Sequence, residues 1–229
     1  MNTQDSVASL ERLLEARLQE WHLSAGQPRP RARSVIAITR EAGCGAAAIA
    51  EKLSAALGWH LYSSELVEHI AKDAHVSTRL VSALDEHARS ELDNCLAEFE
   101  GGLTLTTESY LTSLRRVLFA IATHGNAVIV GRGSNFFLPP DKRIGLSLVA
   151  PLEVRIKNTM KELGVPEKEA SAHIARLDAE HGRLVKKYFQ EDVRNPTHYH
   201  LVINTALVKP ETIVHLVKAL LVGQAPERP

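Results

Sequence analysis

Residues 34–50 have the sequence SVIAITREAGCGAAAIA, and the rest of the chain is best understood outward from this stretch. An apolar run ends at Thr39, glycines follow at positions 43 and 45, and an alanine-rich helical pattern begins at once. This order predicts a buried strand, a tight loop and a helix N-terminus, where backbone N–H groups and the helix dipole bind phosphate. The loop lacks the Lys and the Ser or Thr of a complete Walker A loop. The stretch therefore predicts a phosphate-binding loop with an incomplete set of catalytic side chains.

The same glycines allow two other interpretations. Gly43-x-Gly45-x-x-Ala48 matches the dinucleotide-binding fingerprint, and Glu65 follows about twenty residues later, where an acid would bind a ribose. A short-chain dehydrogenase would also need a Tyr-x-x-x-Lys pair, and no tyrosine of the chain has Lys four residues later. A plain turn between a strand and a helix, without a ligand, is the third interpretation.

Composition argues against several classes of partner. A length of 229 residues suits one sizeable domain, or a core domain with an insertion. Basic and acidic residues both number 27, so the net charge indicates no nucleic-acid or membrane partner. No apolar stretch approaches the roughly 18 residues of a membrane span. Because Met1–Asp5 also lacks the start of a secretory signal, we expect a cytoplasmic location.

Two cysteines, Cys44 and Cys95, are too few for a disulfide framework or a cysteine metal cage. Cys44 lies where a helix N-terminus favours the thiolate, so it is either a reactive thiol or a small residue that permits the turn. We favour the second interpretation.

Short apolar runs alternate with helical patterns from residue 35 onward, which predicts an α/β fold with a parallel sheet. Ligands of such sheets bind beyond the carboxyl ends of the strands. The predicted strands are Val35–Thr39, Trp59–Tyr62, Ala127–Gly131, Ile144–Val149 and Tyr199–Asn204. The predicted helices are Ala46–Leu57, Ser64–Ala74, Ser77–Phe99, Glu108–His124, Pro151–Leu163, Pro166–Gln190 and Glu211–Val222.

Residues 1–33 are expected to form an appendage to this domain. Leucines recur at helical spacing between Leu10 and Trp21, and residues 24–33 form a linker rich in Pro and Arg. The helix would dock on the core or on a second copy of the chain, which makes a homo-oligomer one interpretation. Residues 223–229 form a short tail.

Arginines recur in the second half of the chain, where helical segments are expected to cover the ligand. Arg176 and Arg183 are seven residues apart and share a helical face, and Arg155 lies one turn into the preceding helix. Guanidinium groups pair with two phosphate oxygens at once, so they suit the charge that spreads over a transferring phosphoryl group. The alternative is an ordinary solvated helical face.

Gly131-Arg132-Gly133 ends the third predicted strand at the ligand-binding edge. An Arg between two glycines can reach an anionic substrate there, because glycine permits close approach. Pairing with a local carboxylate is the alternative. Asn135 follows closely and could add a hydrogen bond.

Several of these segments together resemble the cytidylate kinase-like family of P-loop nucleoside monophosphate kinases. The resemblance covers roughly residues 34–222 and depends on an ordered set of motifs. These motifs are Ile38–Gly45 with Ile49 and Ala50, Leu61–Leu66, Val128–Asn135, Ala150–Ile156, Asp178–Arg183 with Tyr188 and Phe189, and Tyr199–Thr205.

The resemblance implies a three-layer P-loop NTPase-type fold around a five-stranded parallel sheet. It also implies an insertion that binds the nucleoside monophosphate (NMP), at about 61–124, and a helical lid at about 151–197. The implied activity transfers the γ-phosphate of ATP to an NMP, with Mg²⁺ whose protein ligands stay open. The implied ATP phosphate-binding residues are Arg40, Gly43, Cys44, Gly45, Ala46, Ala47 and Ala48. The implied acceptor-binding residues are Arg132, Asn135 and Glu65, and the implied catalytic residues are Arg155, Arg176 and Arg183.

Two departures from the family pattern leave the activity open. Family loops commonly have the sequence Gly-Ser-Gly-Gly-Arg-Glu, and here the basic residue is replaced by Ala46 or Ala47. Cytidylate kinases carry an Asp after Gly-Arg where this chain has Gly133, so a CMP or dCMP acceptor is implied only by the resemblance. The leading hypothesis is a nucleotide kinase, followed by a catalytically impaired nucleotide-binding or regulatory domain and then by a dehydrogenase.

Overall fold

The computed structural model describes residues 35–72 and 105–223, together with the isolated positions 15, 16, 19, 84, 90 and 92. The predicted N-terminal helix and the predicted helix Ser77–Phe99 lie outside the described residues, apart from those isolated positions.

Five strands form one parallel sheet, which confirms the predicted α/β fold class. They are β1 (Val35–Arg40), β2 (His60–Tyr62), β3 (Ala127–Val130), β4 (Ile144–Val149) and β5 (Leu201–Asn204). Their order in the sheet is β2-β3-β1-β4-β5, and every pair is parallel.

The central strand β1 pairs with β3 on one side and with β4 on the other. Ile36 lies opposite Val128 in β3 and Ile144 in β4, and all three residues are fully buried. Successive residues of a strand point to opposite faces, so the unbroken burial of 35–39 means that both faces of β1 are covered.

The chain leaves β1 toward one edge of the sheet and leaves β3 toward the other. The loops after β1 and β3 therefore meet at a topological switch point, where ligands of open α/β sheets bind.

Helices connect the strands as the alternating pattern predicts, with one short helix that the pattern does not show, α4. The helices are α1 (Ala46–Leu57), α2 (Ser64–Lys72), α3 (Leu105–His124), α4 (Ser134–Phe137), α5 (Leu152–Leu163), α6 (Glu167–Phe189) and α7 (Pro210–Gly223). Single 3₁₀ turns lie at Pro140–Lys142 and Pro196–His198.

Helices α1 and α7 supply most of the helical part of one continuous apolar core. Buried residues of α1 recur at helical spacing, and α7 contributes a similar stripe. These residues are Ala46, Ile49, Ala50 and Leu53 of α1, and Ile213, Val214 and Val217 of α7. They pack with alternate residues of β1, β3 and β4, so the helix that follows the glycine loop is anchored firmly to the sheet.

The described residues divide between two compact units. One contains residues 64–125, in which α2 contacts α3 and Ser113 Oγ donates to the Ala71 carbonyl at 2.7 Å. The other contains residues 32–63 and 126–229, and therefore the sheet, the glycine loop, α5 and α6. Within the described ranges, none of the helices combines the length and apolar character needed to span a bilayer.

Candidate phosphate-binding site

The loop Glu41–Gly45 joins β1 to α1 and opens the N-terminus of α1 to solvent. Glu41 N–H donates to the Leu148 carbonyl at 3.0 Å, so the β1–β4 ladder continues into the loop. Gly45 precedes α1 with φ +79°, and no side chain caps the helix. Gly45, Ala47 and Ala48 are exposed. The first backbone N–H groups of an α-helix have no partner within the helix, so this end offers donors to an anion.

Gly43 is a position that only glycine can occupy without distortion. Its φ is +79°, and a Cβ would lie 2.6 Å from both the Arg155 carbonyl oxygen and Thr159 Oγ1. Because both atoms belong to α5, the absent side chain allows this helix to contact the loop backbone directly.

The carbonyl groups of the loop are bound by side chains from outside it. Arg155 Nη1 donates to Ala42 at 3.3 Å, Asn158 Nδ2 to Gly43 at 2.9 Å, and Thr205 Oγ1 to Cys44 at 2.7 Å. In a trans peptide the N–H points away from the preceding C=O. The N–H groups of residues 43–45 are therefore turned away from these donors. The Cys44 N–H donates to the Glu41 carbonyl at 3.3 Å, which closes the turn, so Gly43 and Gly45 carry the loop N–H groups that could face an anion.

Cys44 is the small turn residue rather than a reactive thiol. It is buried, and burial is the main reason that the pKa of its thiol rises to about 11. The nearby charges of Arg40 and Arg155 act in the opposite direction without overcoming burial. Since the thiol stays protonated at neutral pH, the structure favours the second of the two interpretations of this cysteine.

An ion-pair network of Glu41, Arg155 and Asp178 supports the loop. Arg155 Nη1 lies 2.6 Å from Asp178 Oδ2, Arg155 Nε lies 3.5 Å from Glu41 Oε2, and the Arg155 side chain is 10% exposed. The second oxygen of Asp178 accepts the Ala42 N–H at 2.9 Å, and Glu41 accepts the Ala150 N–H at 3.1 Å. Arg155, predicted to neutralise the transferring phosphate, is thus bound to two carboxylates and a loop carbonyl.

Arg176 and Arg183 lie on the face of α6 that points away from the loop. An α-helix turns about 100° per residue, which places them roughly 160° and 140° around the axis from Asp178. Both are exposed: Arg176 pairs with Glu180 at 3.1 Å, and Arg183 Nε donates to the Ala179 carbonyl at 3.2 Å. The structure confirms that they share a face and shows that this face does not adjoin the loop.

Arg132 follows β3 in an unusual backbone conformation. Gly131, Arg132 and Gly133 have φ values of +76°, +53° and +66°, which for Arg is the strained left-handed region. Such a conformation persists only where the surrounding structure holds the residue in place. Since Val130 of β3 pairs with Ile38 of β1, Arg132 follows close to the end of β1, and its charge acts with that of Arg40 on His181.

His181 belongs to the same region, and no sequence motif indicates it. It lies one turn after Asp178 on α6, on the same face. Its pKa is lowered chiefly by burial and next by the positive charge of Arg40, with a smaller contribution from Arg132. Asp178 and the Arg40 backbone act in the opposite direction without overcoming burial. His181 is therefore neutral at pH 7 and lies among positive charges.

This environment predicts that the free energy of unfolding decreases as pH falls, and that the His181→Gln variant lacks this contribution. Because the folded-state pKa is lowered, the unfolded chain takes up the proton first as pH falls through about 6.5. The free energy of unfolding should therefore fall more steeply below that pH in the wild type than in the variant, and the two slopes should agree above it. Urea titrations between pH 8 and pH 5 measure this, with the exposed His215→Gln as the matched control. Equal slopes for wild type and His181→Gln would contradict the prediction.

The two remaining residues predicted to bind the acceptor nucleotide, Asn135 and Glu65, belong to different compact units. Asn135 is 1% exposed and donates to the His198 carbonyl at 3.1 Å, so it links α4 to the turn before β5. Glu65 belongs to the compact unit of residues 64–125 and accepts from Ser64 Oγ at 2.8 Å.

The described residues offer no group of three His, Cys, Asp or Glu side chains that could hold a metal ion. The carboxylates of Glu41 and Asp178 already pair with Arg155.

A parallel sheet whose central strand leads through a glycine loop into an open helix N-terminus is an arrangement that α/β proteins use to bind phosphate. The profile of the Cytidylate kinase-like family matches residues 35–207, which is more than half of the chain. The chain belongs to this family, and the resemblance noted in the sequence is confirmed.

Relatives with known names agree with this assignment. The chain is 26% identical over 189 residues to a cytidylate kinase of Ignicoccus hospitalis, covering 82% of this chain and 99% of the relative. It is 27% identical over 194 residues to a cytidylate kinase of Pyrococcus horikoshii, covering 84% and 90%. A crystal structure of an uncharacterized protein from Eubacterium ventriosum shares the fold, with a TM-score of 0.66, 22% identity and coverage of 83% and 99%.

Proposed function

We propose that this protein is an ATP-dependent nucleoside monophosphate kinase that transfers the γ-phosphoryl group of ATP to a CMP-type or dCMP-type acceptor. The proposal is supported most directly by the loop carbonyls that three outside side chains bind, because this leaves the N–H groups of Gly43 and Gly45 on the opposite side of the loop backbone. The relatives named cytidylate kinase support the choice of acceptor.

The loop would bind the phosphates of ATP without the usual lysine. Backbone N–H groups of residues 43 and 45–48 and the positive end of α1 would supply donors that need no reorganisation when charge develops. Arg40, at the end of β1, would supply a guanidinium in place of the missing ammonium. Its positive charge acts on both Cys44 and His181, so it lies close to the loop.

Arg132 would bind the phosphate of the acceptor. Its position at the carboxyl end of β3, next to the loop after β1, is where in-line transfer requires a second anion site. Glu65 and the insertion at about 61–124 would bind the nucleoside, and the helices at about 151–197 would act as the lid. Magnesium, when bound with ATP, would neutralise charge that develops on the transferring phosphoryl group.

A coupled assay of ADP release tests the proposal. Purified full-length protein with ATP and Mg²⁺ should turn over with CMP or dCMP faster than with UMP, AMP or GMP. Absence of turnover with every acceptor would contradict the proposal. Turnover with another NMP would retain the kinase and overturn the choice of acceptor.

A second candidate function is a nucleotide-binding or regulatory domain with little catalytic activity. It is favoured by exposed Ala47, which leaves only a methyl group at one of the two positions where the family carries a basic side chain. Isothermal titration calorimetry that showed tight ATP binding together with no turnover would support this candidate against the kinase.

Restoring the basic residue should strengthen ATP binding. The side chain of Ala47 is exposed at the open end of α1, so Ala47→Arg adds a guanidinium to the site without displacing core atoms. A charge-assisted hydrogen bond contributes about 1.5–3 kcal/mol, so we expect ATP to bind roughly tenfold tighter. A positive charge near a helix N-terminus costs about 0.3–1 kcal/mol, so the melting temperature should fall slightly.

Ala47→Gln is the matched control for Ala47→Arg, since it adds length without charge. It should leave the Kd for ATP, measured by calorimetry, close to the wild-type value. An Ala47→Arg variant that bound ATP no more tightly than Ala47→Gln would contradict the location of the phosphates.

A further inference from the structure

We propose that Arg155 and Asp178 are positioning residues that hold the loop in its anion-binding conformation, and that neither touches the transferring phosphate. This rests on the proposed function for its kinetic consequences, although its structural part concerns the ligand-free loop.

The first support is that the two carboxylate oxygens of Asp178 have different partners. Oδ1 accepts the Ala42 N–H at 2.9 Å, and Oδ2 lies 2.6 Å from Arg155 Nη1. The same Arg155 nitrogen donates to the Ala42 carbonyl at 3.3 Å. Both polar groups of residue 42 are thus held by one ion pair, which fixes the orientation of the peptide units on either side of it.

The second support is the burial of Arg155 behind the loop. Its side chain is 10% exposed, and its backbone carbonyl would lie 2.6 Å from a Cβ at position 43. A guanidinium that binds Asp178, Glu41 and a loop carbonyl at this depth has its charge largely neutralised by the two carboxylates. Arg155 therefore acts on phosphate through the loop backbone.

The third support is the place of Asp178 on α6. It lies in the first structural element after α5, and α5 and α6 pack against each other. The ion pair therefore joins the two helices of the expected lid to the loop through the N–H and the carbonyl of residue 42. Movement of α6 away from α5 would release the Ala42 N–H and loosen the loop.

Hydrogen exchange of the ligand-free protein tests the structural part. Asp178→Ala removes the acceptor of the Ala42 N–H, and Arg155→Gln removes the partner that orients Asp178. Exchange at the Ala42 amide should accelerate in both variants. Glu169→Gln, an exposed carboxylate of α6, is the control and should exchange at the wild-type rate. Unchanged Ala42 exchange in Asp178→Ala would overturn the proposal.

Binding of adenosine 5′-(β,γ-imido)triphosphate, measured by calorimetry, tests the consequence for the site. Each single variant should weaken the Kd by about tenfold. The double variant should be no weaker than the weaker single variant, because the two residues act through one another. Additive losses would overturn the proposal, and so would an Arg155→Gln variant with reduced kcat but wild-type Kd and Ala42 exchange.

Arg155→Lys provides a second, milder variant in case Arg155→Gln or Asp178→Ala does not fold. An ammonium can still pair with Asp178, so binding and exchange should lie between those of wild type and Arg155→Gln. No recovery relative to Arg155→Gln would count against the ion pair. If the protein transfers phosphate to no acceptor while exchange follows these expectations, the proposed function fails and the positioning role remains.

Discussion

Replacing Gly43 with alanine should lower kcat/KM by roughly a hundredfold or more, because misplacement of a site by about 1 Å has an effect of that size. The new Cβ would lie 2.6 Å from the Arg155 carbonyl oxygen, a backbone atom of α5 that cannot rotate away. The loop and α5 must separate, which disturbs the contacts that orient the loop N–H groups. The left-handed φ of +79° adds strain of about 1–3 kcal/mol. Steady-state kinetics and thermal unfolding of the same preparation measure both effects.

Gly164→Ala separates backbone strain from the contact with α5. Gly164 has φ +66° at the end of α5, with nothing within 4 Å of the added Cβ. It should lose about 1 kcal/mol of stability and keep wild-type kcat/KM. If Gly43→Ala and Gly164→Ala showed equal kinetics, the close approach of α5 to the loop would have no role in the site.

Replacing Arg132 with glycine should lower kcat/KM by about 10²–10³ without destabilising the protein. The guanidinium that would bind the acceptor phosphate is lost. The left-handed φ of +53°, which costs a residue with a Cβ about 1–2 kcal/mol, becomes acceptable at the same time. The greater chain entropy of glycine in the unfolded state offsets part of that gain. A stable protein with little activity is therefore expected.

Gln190→Gly is the matched control, because Gln190 has φ +60° at the end of α6. It should show the same small change in melting temperature and no change in kcat/KM. If the Arg132→Gly variant kept the wild-type kcat/KM for its best acceptor, Arg132 would not belong to the acceptor site. A large loss of stability in Arg132→Gly would show instead that its side chain supports the fold.

The features of the fold that depend on residues adjacent in sequence could be predicted from the sequence. The strand before the loop, the two glycines and the helix after them follow from apolar runs and from glycine's backbone freedom, and their boundaries lie close to those observed. The seven-residue spacing of Arg176 and Arg183 likewise predicted a shared face. Which face of α6 would contact the loop could not be predicted, since Ile174 and Val185 are buried on the side of Asp178 and their packing decides the rotation of the helix.

The contacts of Glu41 and His181 in the site could not be predicted from the sequence either. Neither has a distinctive spacing, and each acquires its role only because β1, α5 and α6 come together at the end of the sheet. Asp178 does have a signal in the sequence, because it begins the segment Asp178–Arg183 that resembles the family.

By itself, the order of apolar runs, glycines and helical patterns determined that this chain forms a parallel sheet with a glycine turn that leads into a helix N-terminus, because backbone sterics and burial act locally. The tertiary structure alone decided which charged groups surround that turn. Asp178 and Arg155 face the loop while Arg176 and Arg183 face solvent, because the apolar residues of α6 determine its rotation against α5. Charged side chains take the place that packing leaves them, and Arg155 is retained in the interior because it finds partners at the loop.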